Sequence, residues 1–221
     1  CDQTPHGPIL LKDGALLQVG RRTADPNGAM HNRSDQRTVI TVSRSEDAGR
    51  TWKVLCPEVP ARNGENDSPH RFHEPHVAEL PDGTLVMSAR YHGVDDRLSR
   101  SGHGYLRVSH STDGGRTWTP MAKTDMLGLP PHLTVLPDGR LLCVYGRRLA
   151  NPGFGEFACL SSDGGRTWDA ANEICLTSSH CGDLGYPSTA VLPDGTLLTV
   201  FYQQPRPGEK VCLMATKWRI R

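Results

Sequence analysis

The chain has 221 residues, and its 25 Lys and Arg nearly balance its 24 Asp and Glu, giving a formal net charge of +1. This balance argues against a nucleic acid or a membrane surface as a partner recognised through bulk charge. No apolar run approaches the roughly 20 residues that a membrane span needs, and no signal peptide opens the sequence. The chain begins with Cys1, so we expect either a removed leader or a longer chain upstream, with a secreted or periplasmic location slightly favoured.

The seven cysteines give no framework for the fold, because their number is odd and no Cys-x-x-Cys pair occurs. Cys143, Cys159 and Cys212 stand in apolar, strand-like runs and are predicted to be inert core thiols. Cys175 and Cys181 flank a short loop and could pair with each other. Neither a zinc site nor a disulfide scaffold is indicated.

Four similar strings recur along the chain, and each places an Asp-Gly pair between apolar runs rich in Val, Leu and Thr. The last three pairs, at Asp82, Asp138 and Asp194, are spaced by 56 residues. An Asp-Gly pair between such runs is a strong signal for a β-hairpin. The strings are "LKDGALLQVG" (11–20), "LPDGTLVMSA" (80–89), "LPDGRLLCVY" (136–145) and "LPDGTLLTVF" (192–201).

A second repeated string has the form Ser-x-Asp-x-Gly-x-Thr-Trp and occurs at 45–52, 111–118 and 161–168. A catalytic residue is rarely needed three times at such intervals, whereas a turn is needed once in every unit. The hydroxyl and carboxylate can accept turn N–H groups, and Gly permits positive φ. We therefore interpret these strings as structural turns. Each unit then has four strands, which predicts an all-β fold with propeller blades and very little helix.

The repeated string resembles the Asp-box, or BNR repeat, of the sialidase superfamily. The stretches "HEPHVAELPDG" and "DLGYPSTAVLPDGTLLTVFYQ" also resemble the later blades of bacterial sialidase-like glycoside hydrolases. The resemblance implies a β-propeller of sialidase type, six-bladed in the family, of which about four blades are present. We expect one domain, or the C-terminal portion of one, although closure with four blades or by partner chains is open. The blades are predicted at about 5–56, 74–123, 130–176 and 186–221.

The first strand of a propeller blade lines the central channel, so residues that open these strands are expected to converge. The four openings are His6-Gly7-Pro8, His73-Glu74-Pro75-His76, Pro130-Pro131-His132 and Tyr186-Pro187-Ser188. Each single His or Tyr could also cap backbone groups or line a wet channel. Together they predict a shared site at one end of the channel.

The resemblance also implies roles for these residues. Sialidases use a tyrosine nucleophile activated by a glutamate, an aspartate acid/base, and three arginines that bind the substrate carboxylate. By this resemblance Tyr186 is the nucleophile, Glu74 its partner and Asp35 the acid/base. Arginine binds a carboxylate through two parallel hydrogen bonds, which suits a clamp. The expected substrate-binding residues are Arg90, Arg147, Arg148, His6, His73, His76, His132 and Asp183.

Three functions stay open from the sequence. The first is a sialidase-like glycoside hydrolase acting on a glycan with an acidic sugar. The second is a lyase on uronate glycans, with Tyr186 and a histidine as base and acid. The third is a carbohydrate-binding propeller without activity. No cofactor is expected. No metal is expected either, because His73 and His76, three apart on an extended segment, point to opposite faces.

Overall fold

The computed structural model describes residues 4–23, 38–61, 68–92 and 104–220. Asp35, the predicted acid/base, lies outside these ranges. Strands dominate the described residues, and the only helices among them are two 3₁₀ turns, Pro69–Arg71 and Ala170–Asn172. None of the described helices is long and apolar enough to cross a membrane.

The strands form four antiparallel sheets, each built from consecutive segments of the chain. The first sheet holds β1 (Ile9–Leu10), β2 (Leu16–Thr23), β3 (Thr38–Ser45) and β4 (Lys53–Cys56). The second holds β5 (Phe72–Glu79), β6 (Leu85–Tyr91), β7 (Tyr105–Ser111) and β8 (Ala122–Leu127). The third holds β9 (Leu129–Val135), β10 (Leu141–Arg147), β11 (Gly155–Ser161) and β12 (Ile174–Ser178). The fourth holds β13 (Leu184–Val191), β14 (Leu197–Gln203) and β15 (Cys212–Trp218). The prediction of an all-β fold is confirmed.

Three apolar clusters lie between successive sheets, because alternate residues of each strand face opposite neighbours. The third sheet shows this clearly. Cys143 and Cys159 pack towards the second sheet, whereas Val144 and Ala158 pack towards Leu197 of the fourth. The first strands of the last three sheets lie side by side, β5 against β9 and β9 against β13. This arrangement sets residues from different sheets around one end of the molecule.

The three Ser-x-Asp strings form the turns that follow β3, β7 and β11, as predicted. In the third turn the Ser161 hydroxyl donates to the Asp163 carboxylate at 2.8 Å and accepts the Gly165 N–H at 2.8 Å. The same carboxylate accepts the Thr167 N–H at 2.9 Å. These hydrogen bonds hold the pKa of Asp163 at about 2, below its ordinary value, against the opposing effect of burial. The contacts stabilise a local turn.

The strand order separates these turns from the openings of the first strands. In an antiparallel sheet the start of β5 lies beside the end of β6 and the start of β7. The Ser-x-Asp turns and the Asp-Gly hairpins therefore lie at the opposite end of the sheets from Glu74 and Tyr186. The local turns and the openings of the first strands therefore occupy different ends of the sheets.

Two of the three predicted core thiols are confirmed, and the suggested cysteine pair is not. Cys143 and Cys159 are buried in the core as expected. Cys212 is exposed, because it begins β15, which pairs on one side only with β14, so that prediction was wrong. Cys175 and Cys181 are both free thiols, which corrects the suggested pair.

Candidate active site

Glu74 and Tyr186 occupy the same irregularity in two different first strands. The pairing of β5 with β6 shifts between His73 and His76, and that of β13 with β14 shifts between Gly185 and Ser188. Each shift contains one residue followed by proline. Glu74 has φ of 50° and Tyr186 has φ of 54°, a left-handed conformation that is uncommon outside glycine. Such strained residues persist where the surrounding structure holds them, and they cluster at functional sites.

The two side chains meet although 112 residues separate them in the chain. The Tyr186 hydroxyl donates a hydrogen bond to Oε1 of Glu74. The other carboxylate oxygen, Oε2, accepts from Nη1 of Arg90 at 2.9 Å. Tyr186 is 38% exposed, so its phenol remains reachable from solvent while Glu74 and Arg90 are largely covered. The result is a phenol with a carboxylate acceptor and an arginine behind it.

Burial raises the pKa of Tyr186 to about 12, and the hydrogen bond to the Glu74 carboxylate and its charge act in the same direction. Arg148 and Arg90 oppose this effect. The tyrosine is therefore a neutral phenol at ordinary pH, and Glu74 is placed to accept its proton.

Arg148 is a second arginine near Tyr186. Its guanidinium carbon is 5.7 Å from the centre of the Tyr186 ring and 5.8 Å from that of Tyr202. Nε donates to the Leu184 carbonyl and Nη2 to the Tyr202 hydroxyl, both at 2.8 Å. Two of the five N–H groups of the guanidinium are used by these contacts. The role of Arg148 in substrate binding stays a prediction.

Arg21 is a residue that sequence reasoning missed. It lies on β2 of the first sheet, near enough to Glu74 and Arg90 for the three charges to interact. Burial lowers the pKa of Arg21, and the charge of Glu74 partly opposes that. A signal existed in the repeat, because Arg21 precedes Arg90 by the same 69 residues that separate the Asp-Gly pairs of the two hairpins.

His6, His76 and His132 form a cluster of rings next to this group. The ring centres are 4.8 Å apart for His6 and His76, 5.0 Å for His6 and His132, and 4.2 Å for His76 and His132. An open cavity of about 490 Å³ is lined by the three histidines, Tyr186 and Ser188. The predicted convergence of the strand openings is therefore observed for these residues.

Two of these histidines tie neighbouring sheets together. Nδ1 of His76 accepts the backbone N–H of Leu133 at 2.9 Å, and Nδ1 of His132 accepts that of Thr189 at 3.4 Å. Burial lowers the pKa of His6 to about 4, that of His132 to about 3, and that of His76 well below its ordinary value. The rings are neutral, and two of them act as acceptors between sheets. Within the described ranges no group of three or more His, Cys, Asp or Glu side chains is arranged to hold a metal ion.

The remaining predicted residues lie at different distances from this centre. The rings of His73 and His92 contact each other in a tilted arrangement with centres 4.6 Å apart, and the pKa of His73 falls to about 3 through burial and the charges of Arg21, His92 and Arg90. Asp183 lies near Tyr202, on whose pKa its charge acts. Their roles in substrate binding stay predictions.

Arg147 is not brought to the group, and we correct its predicted role as a substrate ligand. It is 6% exposed and faces the second sheet, where Nε donates to the Leu127 carbonyl at 3.1 Å. Nη2 pairs with Glu173, and the guanidinium lies 4.0 Å from the centre of the Phe157 ring. Nε, Nη2 and one face of the guanidinium of Arg147 are therefore occupied by contacts within the protein interior.

Comparison with solved structures identifies the architecture. The chain resembles a protein of unknown function from Dyadobacter fermentans with 28% identity and a TM-score of 0.75, over 97% of this chain and 52% of that one. It resembles the Hadza microbial sialidase Hz136 with 20% identity and a TM-score of 0.64, over 97% and 45%. It resembles the GH93 α-L-arabinofuranosidase of Fusarium graminearum with 20% identity and a TM-score of 0.64, over 94% and 59%. No curated protein sequence gives a significant match.

These likenesses and the four sheets define a β-propeller of sialidase type, and the fold prediction is confirmed. The chain spans about half the length of the solved structures that it matches. The family model of the BNR repeat-like domain matches residues 6–199. The chain therefore belongs to the BNR repeat-like family.

Proposed function

We propose that the chain carries the active site of a glycoside hydrolase that acts on a glycan with an acidic terminal sugar. The observation that supports this most directly is the Tyr186–Glu74–Arg90 chain of contacts, built on two strained strand openings beside an open cavity. A nucleophile within hydrogen-bond reach of its base, with the base held by a third group, is the arrangement that covalent catalysis requires.

In the proposed reaction the Tyr186 oxygen attacks the anomeric carbon as its proton passes to Oε1 of Glu74. The bond to the leaving group breaks, and an acid supplies the proton that the leaving oxygen needs. Asp35 stays our candidate for that acid, and it lies outside the described residues. In the second step water attacks the anomeric carbon and gives a proton to the conjugate base of that acid, while the bond to Tyr186 breaks and Glu74 returns the proton to the Tyr186 oxygen.

An acidic sugar is favoured by the charges around the phenol. Arg90 pairs with Glu74, Arg148 lies 5.7 Å from the centre of the Tyr186 ring, and the charge of Arg21 interacts with Glu74, so three cations act near this one carboxylate. A substrate carboxylate would meet net positive charge and unused N–H donors of Arg148. A neutral phenol also attacks an anionic sugar without the repulsion that a carboxylate nucleophile would meet.

The test is release of the fluorophore from a 4-methylumbelliferyl sialoside by the full-length protein. Tyr186→Phe should lower kcat on the order of 10³-fold or more, because the ring stays while the attacking oxygen is lost. Tyr105→Phe is the matched control, since Tyr105 lies on β7 beside Lys123 and away from Glu74.

Three results would contradict this proposal in different ways. Cleavage of an arabinofuranoside without cleavage of the sialoside would reject the acidic sugar. A rise in ultraviolet absorbance on uronate polymers would identify a lyase, the second function that the sequence leaves open. Binding on a glycan array with no turnover of any of these substrates would leave a carbohydrate-binding propeller.

A further inference from the structure

A second carboxylic acid lies buried behind Arg148. Glu156, on β11, is completely inaccessible to solvent. Neither of its carboxyl oxygens has a hydrogen-bond partner among the described residues. Buried carboxyl groups are normally paired or hydrogen-bonded, so an unpartnered one calls for a specific explanation.

The strand register places Glu156 on the same face of the third sheet as Arg148. Glu156 pairs with Gly146 on β10, and the alternation along both strands turns it, like Ala158 and Val144, towards the fourth sheet. Gly146 has no side chain, and a Cβ there would lie 3.1 Å from Cα of Gly185 on β13. The two sheets therefore approach closely here, and Glu156 fills the interface beside Arg148.

Arg148 differs from the preceding residue, Arg147, because it is not paired with the acid beside it. Arg147 and Glu173 form a closed ion pair on the opposite face. Arg148 and Glu156 are near enough for their charges to interact, yet they share no hydrogen bond. Arg148 instead donates to the Leu184 carbonyl and to Tyr202. Arg148 therefore has two available arrangements, the present one on Leu184 and Tyr202 and a second one paired with Glu156.

We propose that Glu156 is a positioning residue that acts through Arg148. With Glu156 neutral, Arg148 stays on the rings of Tyr186 and Tyr202. Once Glu156 loses its proton to solvent, the buried carboxylate pairs with Arg148 and draws the guanidinium away from Tyr186. This inference rests on the proposed function, in which Arg148 binds the substrate carboxylate.

The charges around Glu156 support this assignment. Burial raises the pKa of Glu156 to about 8, and Arg148 is the charge that opposes the rise. From β14 the ionisable neighbour is Tyr202, whose pKa is raised by burial and by the charges of Asp183 and Glu156. On β12 the ionisable residue is Cys175, which interacts with Glu173 and Arg147 on the other face. Among the described residues, Arg148 is the cation whose charge acts on Glu156.

The coupling can be measured without turnover. In protein labelled with ¹³C at the glutamate carboxyl carbons, the NMR resonance missing from Glu156→Gln should titrate with a midpoint near pH 8. The ¹⁵Nε resonance of Arg148, assigned with Arg148→Lys, should shift with the same midpoint and lose that shift in Glu156→Gln. Glu156→Leu provides a second variant if Glu156→Gln does not fold.

The matched control is Glu173→Gln, which removes the acid of the neighbouring pair and should leave the Arg148 titration unchanged. An Arg148 resonance that ignores the Glu156 titration, or that responds equally to Glu173→Gln, would overturn the inference. Coupling without any glycosidase activity would reject the proposed function and leave the coupling between the two residues standing.

If hydrolysis is observed, the pH profile provides a further readout. One pH unit above the midpoint of the titration, the ionised form of Glu156 is about tenfold more populated than the neutral form. The ratio of kcat/KM for Glu156→Gln to kcat/KM for the wild type should be about tenfold higher at pH 9 than at pH 6. This change should arise from KM. Superimposable profiles would argue against a positioning role.

Discussion

Arg147 and Arg148 are consecutive residues that face opposite sides of the third sheet. Arg147 closes an ion pair with Glu173 and stacks on Phe157 between the second and third sheets. Arg148 reaches the fourth sheet and the ring of Tyr186. At the scale of single residues, one arginine is therefore bound within the interior, and the next lies beside Tyr186, where we propose that it binds substrate.

Replacing each arginine by methionine separates these roles. Arg147→Met should cost roughly 3 kcal/mol of unfolding free energy, because it leaves Glu173 partly buried without its cation. Arg148→Met should lower kcat/KM on an acidic substrate by on the order of 10²-fold with a small effect on stability. Urea unfolding and steady-state kinetics of the pair check this, and a reversed pattern would contradict the assignment.

The first strands carry the irregularities that build the site, while the turns at the other end of the sheets carry local hydrogen bonds. Both features repeat from sheet to sheet. In β5 and β13 a residue before proline takes positive φ and turns its side chain out of the regular alternation. In the Ser-x-Asp turns the same serine and aspartate contacts recur.

At the scale of elements, the turn after β11 offers a matched pair of serines. Ser161 is buried and bonds Asp163 and Gly165, whereas its neighbour Ser162 is exposed. Ser161→Ala should cost about 1–3 kcal/mol, because the buried Gly165 N–H loses its acceptor, and Ser162→Ala should cost almost nothing. Thermal unfolding measures the difference. Activity should be unchanged in both, and a loss of activity in Ser161→Ala would contradict the separation of the two ends.

The whole molecule should respond to pH through its buried histidines. In the folded chain the pKa values of His6, His73 and His132 are about 4, 3 and 3, and that of His76 is also far below its ordinary value. The unfolded chain binds protons near pH 6.5, so stability falls as the pH drops from about 6.5 towards 4. The turn carboxylates, with pKa about 2 for Asp163, lose their stabilisation only at lower pH.

Glu156 acts in the opposite sense, because its raised pKa makes stability fall as the pH rises from about 4.5 to 8. Four histidines outweigh this single acid, so we expect net destabilisation at pH 5 relative to pH 7. His132→Gln should reduce that difference by roughly 2 kcal/mol. His180→Gln is the control, since His180 is exposed. Denaturant midpoints at both pH values check this, and equal effects of the two variants would contradict it.

The sequence by itself determined the repeating sheets and their turns. An Asp-Gly hairpin or a Ser-x-Asp turn is closed by hydrogen bonds within about five residues, so the string that encodes it contains nearly all the groups involved. The repeat also placed Glu74 and Tyr186 at the openings of two first strands, which predicted that they converge before their contact was known. Asp35 lies outside the described residues, and its role stays a prediction.

Only the tertiary structure decided which side chains meet. The contact of Tyr186 with Glu74 joins residues 112 apart, and the choice between Arg147 and Arg148 depends on which neighbouring sheet each face contacts. Cys212 was misplaced for a related reason, since an apolar run is buried only where another sheet covers it. Direction and burial of a strand residue depend on register and on packing between sheets, and these are set by residues distant in the chain.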